Sequence, residues 1–269
     1  MGEVWTIRFK YGNVIHLTNE EYVSKKASLK WFDGDIPDLF PLEELGILSE
    51  KKWFDKKEAI LYAINTNIRN MFLLQKRLDN VILGRFENLK YNNNLFWKVN
   101  ALQAEIGELL QEWQGFKMWK VNKIPKIRSK CFFCDGYGQM IKQNSTCPAC
   151  DGMKVFNPIL EEYIDCLHFL LSIGLEVNVE YNIIEFNPFS YEKLKKSDLN
   201  EVLFRWVRRF YLSIKESIFT EIKVSNDDYG HILSTFIAIG FILGFGWNEI
   251  VRTYVLKNKK NHERQNNYY

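Results

Sequence analysis

The sequence predicts a mainly α-helical protein with a small α+β module at its start and a metal-stapled segment inserted among the helices. Three observations carry this. From Lys57 onward, apolar residues recur at helical spacing over most of the chain. The first stretch instead has short β-rich runs on either side of Gly12-Asn13. Between the helical segments, Cys131, Cys134, Cys147 and Cys150 form two CxxC pairs in a stretch poor in apolar residues.

The chain has 269 residues, enough for one large domain or two smaller ones, and at 46% hydrophobic and 15% aromatic it can bury a sizeable core. Its net charge is only +3, which excludes a protein that binds nucleic acid or membrane surfaces by overall charge. The first residues, MGEVWTIRFKYGN, lack the basic start and apolar run of a signal peptide. Five cysteines without an export signal point to a reducing, cytoplasmic setting and to metal binding. The expected organisation is a module over 1–58, and a helical domain over 59–269 that contains an inserted segment at 127–155.

In order, VWTIRFKYGNVIHLT predicts a hairpin, followed by a short helix near Asn19 to Lys26 and a turn at Asp33-Gly34. Together they make a ββαβ-type module of no evident chemistry. Ile60, Ile64, Ile68, Met71, Phe72, Leu74 and Leu78 predict one long helix ending near Gly84, with Gln75 and Asp79 one turn apart. A helix from about Asn94 to Trp113 carries Glu105, Glu108 and Glu112 at i, i+3 and i+7, so their carboxylates share a face. Gly115 ends it, and FKMWK adds Phe116 and Trp119 beside Lys117 and Lys120, a pattern that suits a base and a phosphate as well as it suits closing a bundle.

The cysteine pairs are separated by twelve residues, and each is followed by Asp-Gly, which turns the backbone so that amide N–H groups face the thiolates. Four thiolates suit one tetrahedral, structural Zn²⁺, and so small a segment needs such a staple. The alternative is thioredoxin-like redox chemistry, against which the likeness of the two pairs argues. The knuckles resemble a zinc ribbon, so nucleic-acid or protein contact through this segment stays open.

Glu162 and Asp165 repeat the i, i+3 spacing on LEEYIDCLHFLLSIGL, where Cys166 reads as a core thiol and His168 as a structural histidine. Two acidic pairs facing each other across a bundle form an oxygen cage suited to Mg²⁺. A helix from about Asp198 to Ile222 bears Arg205, Arg208 and Arg209 as a solvated stripe, and an apolar helix from Ile232 to Tyr254 is read as buried rather than membrane-spanning. After it, VLKNKKNHERQNNYY is either a solvated tail or a phosphate clamp.

From about Ile68 to the end, the chain resembles the dimeric, all-α dUTPase family, one branch of the MazG-like NTP pyrophosphohydrolases. QKRLDNVI matches the family's opening helix, EIGEL with FKMWK its first metal motif, Glu162 and Asp165 its second, and the KNKKNHERQ run its C-terminal motif. The resemblance implies an all-α NTP pyrophosphatase bundle, a homodimer, and hydrolysis of dUTP to dUMP and pyrophosphate with two or three Mg²⁺. It implies that Glu105, Glu108, Glu162 and Asp165 hold Mg²⁺, with Glu105 also taking the proton from water and Glu108 essential for turnover. It further implies that Gln75, Asp79, Trp119, Lys120, Lys257, Asn261 and Arg264 bind the nucleotide. The cysteine segment and the N-terminal module fall outside it. Alternatives are a related pyrophosphohydrolase for dCTP or another nucleotide, and a zinc-ribbon interaction factor.

Overall fold

The computed structural model describes residues 5–10, 14–19, 51–53, 56–86, 89, 94–121, 129–140, 145–150, 152–191, 193, 195–219 and 224–266. Two compact units are present, Met1–Met71 and Phe72–Tyr269. The division falls within a long helix.

In the first unit, β1 (Trp5–Lys10), β2 (Val14–Asn19) and β3 (Lys51–Trp53) form one antiparallel sheet in the order β2-β1-β3. The hairpin register pairs Trp5 with Asn19 and Lys10 with Val14, and β3 adds to the other edge with Trp53 opposite Trp5. The expected turn at Gly12-Asn13, the helix after Asn19 and the turn at Asp33-Gly34 lie outside the described residues.

Six helices account for most of the described chain: α1 (Lys56–Arg85), α2 (Leu95–Trp113), α3 (Pro158–Glu176), α4 (Leu199–Phe219), α5 (Asn226–Leu243) and α6 (Trp247–Asn266). The chain is therefore mainly α-helical. In the second unit α2 lies along α3, which also meets α6 and α5, while α5 packs on α4. On α2, Leu95, Val99, Leu102, Ile106, Leu109 and Trp113 are buried, a stripe that returns to one face every three or four residues. Helix α3 starts from Asn157, whose side chain accepts the Ile159 N–H at 3.0 Å, with Pro158 filling the first helical position, where a missing N–H costs nothing. Between α3 and α5, Tyr163 stacks on Phe236 with centroids 4.6 Å apart and donates its hydroxyl to the Phe236 carbonyl. Tyr229 donates likewise to the Leu170 carbonyl at 2.7 Å, so each buried aromatic finds a partner for its polar end.

Two expectations are corrected. The apolar run read as one helix from Ile232 to Tyr254 is two helices bent by 109°. Gly244 at φ 100° closes α5, with its N–H on the Phe241 carbonyl and that of Phe245 on the Gly240 carbonyl, a chain reversal that a residue with a Cβ resists. The basic run, for which a solvated tail was one reading, is helical through Asn266. Among the described residues no single helix is long and apolar enough to cross a membrane.

The cysteine segment is built from four two-residue strands: β4 (Ser129–Lys130) pairs with β7 (Val155–Phe156), and β5 (Gln139–Met140) with β6 (Ser145–Thr146). The four cysteines, Phe132, Phe133, Ala149 and Leu256 of α6 make its small core.

Candidate active site

The acids of α2 and α3 sit one residue before buried positions: Glu105 before Ile106, Glu108 before Leu109, Glu162 before Tyr163 and Asp165 before Cys166. A step of one residue on a helix turns the side chain by about 100°. The carboxylates therefore line the seam between the two helices and are kept out of the core itself. Oxygens of Glu105, Glu108 and Glu162 lie within 4.8 Å of one another. Burial, and then the charges of Asp165 and Glu108, push the Glu105 carboxyl up to about 7. Burial, and then Asp165 and Glu161, push Glu162 up to about 8. Asp165 is raised too, by burial, against the opposing pull of Lys257. Burial and mutual repulsion thus outweigh the pull of the nearby Lys257 ammonium on Glu105 and Glu162. An all-oxygen donor set of this charge fits Mg²⁺.

Lys257 of α6 is buried and donates to Glu161 at 2.7 Å and Asp165 at 2.8 Å. Glu161 was not singled out from the sequence, although its i, i+4 spacing to Asp165 was the available signal. Asn261 and Arg264 follow Lys257 at i+4 and i+7 on the same helix, and Arg264 donates to the Asn261 side chain at 3.4 Å. The Arg264 charge also lowers the Asp165 carboxyl, opposing the burial that raises it.

Gln75 and Asp79 belong to a buried polar network. The Gln75 amide donates to Asp79 at 2.7 Å, and its oxygen accepts from Tyr254 at 3.1 Å. His168 Nδ1 lies 2.8 Å from the same oxygen and carries the proton there. The ring stacks on Tyr254, and burial, with Lys257 adding to it, pushes the imidazole down to about 3, so His168 is neutral. Asp79 also accepts from Ser172 at 2.5 Å and from Lys98 at 3.1 Å, and Lys98 reaches Glu176 at 2.8 Å. Lys98 is 2% exposed, and the sequence signal for it was a lone cation inside the apolar stripe of α2. The anion pair around it is what makes its burial tolerable.

After α2, Phe116 and Trp119 meet edge to face at 6.0 Å, with Lys117 over Phe116. Trp119 is 74% exposed and Lys120 is exposed beside it. Asn200 of α4 tethers this turn through the Gly115 carbonyl at 3.4 Å. The arginine stripe of α4 lies outside this group: Arg205 pairs with Glu201 and Arg209 with Asp228, all in solvent. Cys166 is fully buried, and that burial holds its thiol well above the usual range.

In the second candidate centre, Cys131 and Cys147 sulfurs are 3.9 Å apart and those of Cys134 and Cys150 3.8 Å. A tetrahedron with Zn–S bonds of about 2.3 Å has edges of about 3.8 Å, so the spacing fits Zn²⁺. Gly138, at φ 79°, turns its N–H onto the Cys134 sulfur at 3.1 Å. A hydrogen bond from Cys147 pulls the Cys131 thiol down to about 5, and the same bond drives the Cys147 thiol up, so these two sulfurs compete for one proton. A divalent cation removes that conflict.

No curated protein and no solved structure matches the chain. The sequence profile of the family described as dUTPase matches residues 67–134 and 153–269, and so spans both acidic helices and α6 while passing over residues 135–152, which carry the second CxxC. The chain belongs to the dUTPase family.

Proposed function

We propose that the protein hydrolyses dUTP to dUMP and pyrophosphate in a Mg²⁺-dependent reaction. The observation that carries this reading is the convergence of Glu105, Glu108 and Glu162 within 4.8 Å, with Lys257 on the neighbouring Asp165, in a member of the dUTPase family. Glu105, Glu108, Glu162 and Asp165 would hold the two or three Mg²⁺. When bound, the metal supplies the positive charge that lets water approach an anionic triphosphate. Glu105, half-buried at the edge of the cluster, accepts the proton from that water. Lys120, Lys257, Asn261 and Arg264 bind phosphate oxygens, Lys257 by exchanging part of its hold on Asp165 for the more highly charged ligand. Trp119, exposed beside Lys120, stacks on the base. Gln75 and Asp79, locked by Tyr254, His168, Ser172 and Lys98, form a rigid polar wall at the nucleoside end, and a homodimer is part of the same reading.

The test is turnover of the common ribo- and deoxyribonucleoside triphosphates with and without Mg²⁺, read as phosphate after added pyrophosphatase. Hydrolysis restricted to dUTP and dependent on the metal is expected. Preferential hydrolysis of dCTP or of ribonucleotides would move the assignment to a related pyrophosphohydrolase, and no hydrolysis would end it.

A further inference from the structure

Helix α6 presents two stripes to two different centres. Lys257, Asn261 and Arg264 belong with the acidic helices, whereas Arg252, Leu256 and Lys260, spaced i, i+4 and i+8, meet the cysteine segment. Arg252 donates to the Pro148 carbonyl inside the second CxxC, Leu256 is part of the segment's buried core, and Lys260 pairs with Asp135 at 3.7 Å. The first CxxC contributes one more contact. Phe132, between Cys131 and Cys134, places its ring under the Lys257 ammonium, 4.8 Å from nitrogen to centroid. Lys257 is thus enclosed by Glu161 and Asp165 on α3 and by an aromatic face held in the core of the cysteine segment.

We infer that Phe132 is a positioning residue for the phosphate-binding end of the active site, and that the cysteine segment acts as a fixed seat for Lys257 through it. The inference rests on the reading of Lys257 as a nucleotide-binding residue. The physical argument is that a buried ammonium with only carboxylate partners would be pulled deep into the acid cluster. A ring face attracts the same charge without competing for its protons, and holds it at the cluster's rim. A ring so placed must be rigid, and Phe132 is: it packs edge-on against Phe133 and Phe156 at 6.2 and 5.0 Å, within a unit that metal binding would fold. The partner of this ribbon-like segment is then a helix of its own chain.

The test uses the full-length protein labelled with ¹⁵N-lysine, in which the Lys257 ammonium resonance is identified by its loss in Lys257→Met. Ring shielding is expected to move that resonance upfield, Phe132→Leu to return it to the ordinary lysine range, and Phe132→Tyr to keep it. Stripping zinc from the wild type is expected to erase the shift as well. In parallel, kcat/KM for dUTP is expected to fall about tenfold in Phe132→Leu and to be restored by Phe132→Tyr. Graded fluorination of Phe132, which weakens the ring's negative face but keeps its shape and so the packing of the segment, should lower kcat/KM in step. An unshifted resonance in the wild type, or a flat fluorination series, overturns the inference even where Phe132→Leu has lost zinc. If the resonance behaves as expected but the wild type hydrolyses no dUTP, the seat stands and the proposed reaction fails.

Discussion

The acid cluster and the thiolate cluster are both gatherings of like-charged ligands, yet they are built oppositely. The four sulfurs are buried, and the two pairs Cys131–Cys147 and Cys134–Cys150 lie at the edge length of a closed tetrahedral site. The acids sit at the rim of a helix seam, with Glu108 exposed and Glu105 and Glu162 half-buried. A closed soft site is suited to holding chain segments together, whereas an open hard site is suited to sharing its cation with an anionic ligand. The lesson of the pair is that ligand softness and exposure, more than the number of ligands, separate a site suited to stapling a chain from one suited to a reaction.

The largest effect should come from breaking the open site. Glu108→Gln is expected to lower dUTP turnover on the order of 10³-fold with the fold retained, since the group is exposed and its loss removes charge without removing packing. Steady-state kinetics alongside calorimetry check it, and retained turnover would dissolve the contrast. The closed site should respond the other way. Cys147→Ser is expected to abolish zinc binding and to cost several kcal/mol of stability, read by metal analysis and denaturant unfolding.

A pH series sharpens the comparison. Glu105 and Glu162 titrate near 7 and 8 when folded, against 4.5 as free groups. The folded state therefore holds protons that the unfolded chain has already released. Their contribution is full below about 4.5 and is lost as pH rises through about 7 and then about 8. Protein freed of Mg²⁺ with its zinc retained should lose a few degrees of midpoint between about pH 5 and about pH 9, and added Mg²⁺ should restore most of it at the alkaline end. A midpoint indifferent to Mg²⁺ at high pH would argue that the acids do not form one site. The smallest effect is expected at the edge of the open site: Trp119→Ala should raise KM roughly tenfold with little change in kcat, as loss of one stacking face predicts.

Much of this was legible in the sequence because it depends on local period. Carboxylates at i, i+3 beside an apolar stripe must line a helix edge, and paired CxxC motifs with twelve residues between them must close on themselves. The fold class followed from the same periodicity. The break at Gly244 was missed because the apolar pattern runs on through Phe245 and Trp247, so composition hid a reversal that only backbone conformation makes. Glu161 and Lys98 were missed because their partners come from distant helices: Lys257 lies 96 residues from Glu161, and Glu176 lies 78 residues from Lys98.

By itself the sequence determined which side chains could share a helix face and which sulfurs could share a cation, since both are fixed by spacing along one segment. Tertiary structure decided which faces meet. It brought α2 against α3 so that two acid pairs became one cluster, turned the basic C-terminal run into a helix, and laid that helix between the thiolate segment and the acids. Such choices depend on the packing of apolar surfaces far apart in the chain, and no local period encodes them.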